Sequence, residues 1–204
     1  TACGCTDIMM HTMERYFTAG ETMELTDKIA ESVMQIVLKN APILLEQPDN
    51  YESRAEVMWA GSLSHNGLTG CGIKNKDFAT HMLEHELGGV YDVAHGAGLA
   101  AVWGSWARYV MDEKPERFAQ FAVNVMGVEE CEDIKATAIK GIEAVEDFYR
   151  EIEMPTNLKE LGIDPTDEQI KDMAMKATNN DTQQLGAFKK LSAKDLVEIY
   201  TAAK

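Results

Sequence analysis

The five histidines of this 204-residue sequence are spaced in a way that indicates a metal site. Asp7 stands four residues before His11, and His81 stands four residues before His85. Residues four apart in a helix lie on the same face, so each pair can approach a single ion. His95 follows shortly after the second pair. An aspartate and several imidazoles on the helices of a bundle are typical ligands of Fe²⁺ or Zn²⁺.

Spacing alone leaves the ligand set open. These five residues exceed the roughly four ligand positions of such a site, and helical periodicity does not say which imidazole is left over. A single Asp-x-x-x-His pair often occurs by chance. Two pairs at this spacing, with a further histidine nearby, favour a metal site.

Two other segments imitate known motifs without their structural context. His85-Glu86 begins like the zinc-protease motif H-E-x-x-H, but Gly89 stands where the second histidine is required. Residues 96–101, GAGLAA, imitate the dinucleotide-binding pattern G-x-G-x-x-A. No strand precedes them and no βαβ unit surrounds them, so small residues at the start of a buried helix explain the run better.

Helical periodicity runs through nearly the whole chain, and no alternating strand pattern of convincing length occurs. The sequence therefore predicts an all-α fold, a multi-helix bundle. Asp49-Asn50, Asp77 and Pro115 are expected near helix starts, whereas Gly88-Gly89 and Met154-Pro155 are expected to end helices. The predicted helices span residues 1–18, 21–39, about 50–66, 77–88, 96–110, from 115 onwards, 131–152, and shorter segments to the C-terminus.

Composition and charge narrow the class of protein. The sequence has 19 lysines and arginines against 34 aspartates and glutamates, a formal net charge of −15. Phosphate binding requires clustered basic residues, so a nucleic-acid partner is not expected. The four cysteines show neither C-x-x-C spacing nor a disulfide framework, which favours a reduced, cytoplasmic protein. No apolar run reaches the roughly eighteen residues of a membrane span. The chain opens on Thr1 within a helical pattern, so we expect further residues upstream.

Several segments resemble landmarks of the iron-containing (group III) alcohol dehydrogenases. Residues 79–100, ATHMLEHELGGVYDVAHGAGLA, closely resemble the signature of that family, and GCTDIMMHTMERYF near the N-terminus is similar to its Asp-x-x-x-His ligand segment. Residues 58–72 and 153–163 look like further landmarks, and the last helix, from about Asp195 to Lys204, falls where these proteins end. The resemblance covers the whole chain and is strongest to the butanol dehydrogenase-like branch.

This resemblance implies the C-terminal domain of a dehydroquinate synthase-like two-domain enzyme, because nothing in the chain matches the family's N-terminal phosphate-binding glycine motif. It implies a metal-dependent, NAD(P)-linked alcohol dehydrogenase or aldehyde reductase for small alcohols and aldehydes. The full-length enzyme is expected to be a homodimer, and this chain without its nucleotide-binding domain is expected to be inactive. The ion is expected to be Fe²⁺, with Zn²⁺ possible, and its implied ligands are Asp7, His11, His81 and His95.

The resemblance also assigns His85, whereas the expectations for His65 and for some bulky side chains come from their helical context. It implies that His85 lies beside the metal and close to the nicotinamide ring, as the catalytic and cofactor-contacting residue. We expect His65 to be a hydrogen-bonded helix residue that lines or supports the cleft, not a ligand. Four aromatic residues are expected mostly in the core, with one or two lining an alcohol pocket: Trp59, Trp103, Trp106 and Phe148. Core packing is also expected for Met9, Met10, Met13 and Met82.

Two alternatives come from other classes of protein. A stand-alone helical metallohydrolase would use a metal-bound water with an aspartate or glutamate as base. The sequence lacks the adjacent His-Asp pair expected of helical phosphohydrolases, which disfavours that hypothesis. A non-catalytic helical interaction domain would leave the clustered aspartate and histidines unexplained.

Overall fold

The computed structural model describes residues Thr1–Lys204 and contains nine α-helices and no β-sheet. The prediction of an all-α multi-helix bundle is therefore confirmed. No helix combines the length and the hydropathy needed to cross a membrane. The helices are α1 (Ala2–Tyr16), α2 (Glu24–Glu46), α3 (Tyr51–His65), α4 (Ala79–Tyr91), α5 (His95–Val110), α6 (Pro115–Asn124), α7 (Ile134–Glu151), α8 (Asp167–Ala177) and α9 (Ala193–Ala202).

Helix α1, which carries Asp7 and His11, is central to the packing of the bundle. It contacts α2, α3 and α5, and α5 in turn packs against α4, α7 and α9. The side chains of Met9, Met10 and Met13 on α1 are fully buried, as are Trp103 and Trp106 on α5. Burial of such side chains contributes roughly 1.5–3 kcal/mol each, so this core holds α1 and α5 in a defined relationship.

Two residues predicted for the core lie at the surface instead. Trp59 on α3 is 61% exposed and Met82 on α4 is 36% exposed, whereas Phe148 on α7 is buried as expected. The apolar spacing along a helix identifies a face, but it does not reveal whether another element covers that face. Neighbouring helices leave part of the Trp59 and Met82 side chains open to solvent.

Most predicted helix starts agree with the structure. The side chain of Asn50 accepts a hydrogen bond from the backbone N–H of Ser53 at 3.1 Å and caps α3. Pro115 occupies the first turn of α6, where its missing N–H costs little. Helix α2 runs beyond its predicted end, through Pro42, because Ala41 and Leu44 continue its buried face.

The predicted end of α4 at Gly88-Gly89 is wrong. The helix continues through both glycines to Tyr91, and Asp92 ends it in the left-handed region with φ of 52°. Neither glycine has a positive φ. At Gly88 the missing side chain instead leaves room for the carboxylate of Glu84, which would lie 3.1 Å from an added Cβ.

The glycine run that opens α5 serves close packing, as the sequence indicated. A Cβ added to Gly96 would lie 2.6 Å from Cα of Cys3 and closer still to its carbonyl oxygen. A Cβ added to Gly98 would lie 2.7 Å from Cγ of Glu84. The first turn of α5 can therefore approach both α1 and α4 only because these positions lack side chains. His95, immediately before Gly96, is held at this three-helix junction.

Candidate metal centre

One carboxylate oxygen lies at the centre of the candidate site. Oδ1 of Asp7 lies 3.3 Å from Nε2 of His81, 3.5 Å from Nε2 of His95 and 3.6 Å from Nε2 of His11. The structure thus brings together the four residues that the resemblance implied as ligands. They come from three helices: α1 carries Asp7 and His11 one turn apart, α4 carries His81, and His95 is the first residue of α5.

These distances suit a shared ion. Nitrogen and oxygen ligands about 2.0–2.2 Å from a tetrahedral ion lie about 3.4 Å from one another. The three Nε2–Oδ1 separations at Asp7 fall close to that value. Three imidazoles and one carboxylate also form a donor set that accepts Fe²⁺ or Zn²⁺.

A buried glutamate that the sequence analysis did not select orients His81. Glu14 on α1 is fully buried, and its Oε2 contacts Nδ1 of the His81 ring. Its Oε1 accepts hydrogen bonds from the backbone N–H groups of Thr80 at 2.8 Å and His81 at 3.2 Å. The carboxylate therefore binds the N-terminus of α4, where unpaired N–H groups and the helix dipole favour negative charge.

A second buried glutamate orients His95 in the same way. Glu84 on α4 is 2% exposed, and its Oε2 contacts Nδ1 of His95. A carboxylate on one ring nitrogen directs the other nitrogen towards a metal and raises its basicity. Sequence spacing contained a signal for both glutamates: Glu14 lies one turn beyond His11, and Glu84 lies three residues beyond His81.

Charge and burial perturb the titration of this cluster. Burial raises the pKa of Asp7, but hydrogen bonds from His81 and His65 and the charge of His11 outweigh it and hold the pKa at about 2. Burial lowers the pKa of His81, yet its bonds to Asp7 and Glu14 dominate and raise it to about 9. Burial lowers the pKa of His11 to about 4 despite the attraction of Asp7. Burial also raises the pKa of Glu14.

His65 reaches the second oxygen of the same carboxylate. Its Nε2 lies 3.2 Å from Oδ2 of Asp7, and its Nδ1 lies 2.9 Å from the carbonyl oxygen of Gly61. The expectation of a hydrogen-bonded helix histidine agrees with these contacts. Asp7 therefore belongs to two groups of ligand-capable residues. The ligand-capable atoms of Asp7, His81 and His95 lie within 4.8 Å of one another, as do those of Asp7, His11 and His65.

His85 lies at the edge of the cluster. Its ring centroid is 5.8 Å from that of His95 and 6.2 Å from that of His81, and its side chain is exposed. It has no contact with Asp7. The one group of three or more ligand-capable residues that includes it joins it with Glu84 and His95. The structure thus separates the two histidines of α4 that spacing left equivalent.

The four aromatic residues named in the sequence analysis do not form a pocket beside these imidazoles. Trp103, Trp106 and Phe148 are buried in the core. Trp59 contributes to an apolar groove of about 360 Å³ between α2 and α3, together with Ile36 and other residues. Neither Asp7 nor any histidine or glutamate near it lines that groove. The groove is therefore not part of the candidate metal centre.

Known proteins match this chain along its whole length. The model of the Fe-containing alcohol dehydrogenase family, C-terminal, matches residues 1–204. NADH-dependent butanol dehydrogenase A of Clostridium acetobutylicum is 35% identical over 201 residues, which cover 98% of this chain and 51% of that protein. The chain spans about half the length of the curated relatives it matches.

Solved structures agree with the sequence comparison. The aldehyde reductase YqhD from E. coli, in its substrate- and cofactor-free form, superposes with a TM-score of 0.92 at 31% identity, covering 100% of this chain and 52% of that one. The NADH-dependent butanol dehydrogenase A of Thermotoga maritima superposes with a TM-score of 0.91 at 32% identity and similar coverage. The similarity in both cases includes every helix of this chain.

Proposed function

Because this chain belongs to the Fe-containing alcohol dehydrogenase family and corresponds to its C-terminal part, we propose that it forms the metal- and substrate-binding half of an NAD(P)-linked alcohol dehydrogenase or aldehyde reductase. Its relatives include butanol dehydrogenases and an aldehyde reductase, which supports small alcohols and aldehydes as substrates. The observation that carries the proposal is the convergence of His11, His81 and His95 on one oxygen of Asp7.

The proposed metal ligands are Asp7, His11, His81 and His95, and the proposed ion is Fe²⁺, with Zn²⁺ as the alternative. When bound, a divalent ion supplies Lewis-acid chemistry that eases loss of the hydroxyl proton of an alcohol and polarises an aldehyde oxygen. Three neutral imidazoles and one carboxylate leave such a site with net positive charge, which favours a developing negative charge on the substrate oxygen. Glu14 orients the His81 ring and Glu84 orients the His95 ring, each through Nδ1, the ring nitrogen that does not face Asp7.

Oxidation of an alcohol transfers a hydride from its carbon to the nicotinamide and releases the hydroxyl proton. The exposed position of His85 next to His95 supports a role in accepting that proton and passing it to solvent. In aldehyde reduction the same imidazole would return the proton. His85 is therefore our candidate for the catalytic residue that also contacts the nicotinamide.

The nicotinamide nucleotide itself is proposed to bind mainly to an N-terminal α/β domain. The chain contains no βαβ unit, and it spans about half of each similar enzyme. We further propose that the complete enzyme is a cytoplasmic homodimer. The open face around His85, which carries the exposed imidazole, is where the nucleotide and the substrate would meet.

Metal analysis tests the proposal directly. The purified 204-residue chain should take up about one Fe²⁺ or Zn²⁺ per molecule under anaerobic conditions. Separate His11→Ala and His95→Ala changes should abolish or greatly weaken that uptake, whereas His85→Ala should not. Retention of the full metal content after loss of His11 or His95 would overturn the ligand assignment. A complete enzyme that reduces no aldehyde with NADH or NADPH when loaded would overturn the proposed activity.

A further inference from the structure

Phe78, a residue that the sequence analysis did not select, packs against the candidate metal centre. Its ring centroid lies 5.3 Å from that of His81 and 5.6 Å from that of His11. The other phenylalanine, tyrosine and tryptophan rings make their aromatic contacts only with one another. Phe78 is half-buried rather than enclosed in the core, so its ring gives the metal centre an apolar side that is partly accessible.

The backbone at Phe78 has a conformation that bulky residues rarely adopt. Its φ is 55° and its ψ is 17°, in the left-handed region, at the position immediately before α4. The residues immediately before α3, α7, α8 and α9 are all extended, as is usual at a helix start. A strained residue of this kind persists only where its surroundings impose the conformation, and such residues cluster at functional sites.

Hydrogen bonds hold the chain on both sides of Phe78. The buried carboxylate of Asp77 accepts from the backbone N–H groups of residues 187–188, both at 2.7 Å, and from that of Ala79 at 3.0 Å. The backbone N–H of Asp77 donates to the carbonyl oxygen of Glu14 at 2.9 Å. The start of α4 is thus fixed to α1 and to the segment before α9, and these bonds impose the conformation of Phe78.

Arg15 contacts the same phenyl ring. Its guanidinium carbon lies 5.1 Å from the ring centroid, a cation–π distance, and the arginine is buried. The ring of Phe78 therefore contacts a guanidinium as well as two imidazoles, and these contacts restrict its rotation. A ring held in one position is preorganised for binding, because little side-chain freedom is lost when a ligand packs against it.

We propose that Phe78 is a specificity-determining residue that contacts the alkyl chain of an alcohol or aldehyde whose oxygen is bound at the metal centre. The inference rests on the proposed function and names the part of the substrate that this side of the site recognises. Small-molecule sites combine a few polar or metal groups with apolar side chains that bind the rest of the ligand. Phe78 neighbours two proposed metal ligands, so a chain of several carbons can reach its ring. The site should favour butanal over acetaldehyde.

Unreactive carbonyl analogues test this contact without turnover. The 204-residue chain is loaded with Co²⁺, whose visible absorption spectrum changes when a carbonyl oxygen binds, and is titrated with acetamide and with butyramide. Butyramide is longer by two methylene groups, each worth roughly 4-fold when buried, so it should bind about 15-fold more tightly.

Two substitutions at Phe78 separate the ring from the backbone. Phe78→Gly removes the ring and suits the positive φ, so the chain should fold. The preference for butyramide should then fall below about 4-fold, the contribution of one methylene group. Phe78→Tyr keeps the ring and should keep the preference. Tyr51→Ala, which removes an exposed aromatic ring from α3, is the control and should also keep it.

Kinetics of the complete enzyme supply a second measurement. The ratio of kcat/KM for butanal to that for acetaldehyde should fall in Phe78→Gly, mainly through KM for butanal. An unchanged preference for butyramide in Phe78→Gly would overturn the proposal, even if the affinity for Co²⁺ fell, because the ring would then only shield the imidazoles. A complete enzyme inactive with NADH and NADPH would overturn the proposed function, while the amide preference would still decide the role of Phe78. A chain that bound no Co²⁺ would overturn both.

Discussion

The carboxylate of Glu14 on α1 bonds both the ring of His81 and the backbone N–H groups that begin α4. A single buried side chain thus fixes the position of a helix and the orientation of the imidazole that the helix carries. His81 can direct Nε2 at Asp7 because Glu14 accepts at its Nδ1. The proposed metal centre therefore depends on residues that would not touch the ion.

The first prediction concerns that supporting carboxylate. Glu14→Gln keeps the size of the side chain but leaves one acceptor oxygen where two are used, so the amide cannot accept both from Nδ1 of His81 and from the backbone N–H groups of α4. We expect the affinity for Zn²⁺ to fall by roughly 10–100-fold, as when an outer partner of a metal-bound histidine is removed. Chelator competition measures it, and Glu24→Gln at an exposed position of α2 is the control. Equal affinity in both variants would show that Glu14 does not orient the ligand.

The second prediction separates His81 from His85. In the complete enzyme, His81→Ala should lose both metal and activity because its Nε2 faces Asp7. His85→Ala should keep its metal content but lose turnover by roughly 10²–10⁴, the usual contribution of general acid–base catalysis. Metal analysis and the pH profile of alcohol oxidation report the two effects separately. If His85→Ala lost the metal while His81→Ala kept it, the two roles would be reversed.

The third prediction concerns nucleotide binding by this chain. The structure contains no βαβ unit, and its GAGLAA run begins a helix that packs against α1. Calorimetric titration of the 204-residue chain with NADH and with NADPH should therefore show no saturable binding, and the chain should not oxidise either nucleotide. A dissociation constant in the micromolar range would contradict the proposed division between two domains.

The fourth prediction tests the close approach of α5 to α1. Gly96→Ala places a methyl group against the backbone of Cys3, so the helices have to separate. Overpacking of this kind costs roughly 1–3 kcal/mol in the free energy of unfolding. The variant should also bind metal more weakly, because His95 precedes Gly96 and moves with it.

Gly89→Ala is the matched control for that change. Gly89 lies within α4, has no positive φ, and nothing lies within 4 Å of an added Cβ. Alanine should stabilise the helix there by up to about 1 kcal/mol and leave metal affinity unchanged. Urea denaturation of the two variants gives both changes in stability. Equal effects of the two substitutions would show that α1 and α5 tolerate a wider separation.

The helical fold and most of the candidate site could be predicted from the amino-acid sequence. Helical periodicity is local, so the all-α class and the start of α3 at Asn50 were predictable. The four-residue spacing of Asp7 and His11 placed them on one face of α1 because that relationship depends only on helix geometry. Family resemblance then added His81 and His95, which the structure places at the same Asp7 oxygen.

Which side chains from different helices meet depends on how the helices pack. Spacing hinted at Glu14 and Glu84, but the imidazole that each one contacts became known only from the packing of α1, α4 and α5, because these contacts join residues 67 and 11 positions apart in the chain. The exposure of Trp59 also depends on whether another helix covers its face. His65 lies 58 residues from Asp7, and no local pattern predicts that its Nε2 faces that carboxylate. Contacts between distant segments arise from the packing of complete helices, and short-range spacing does not encode them.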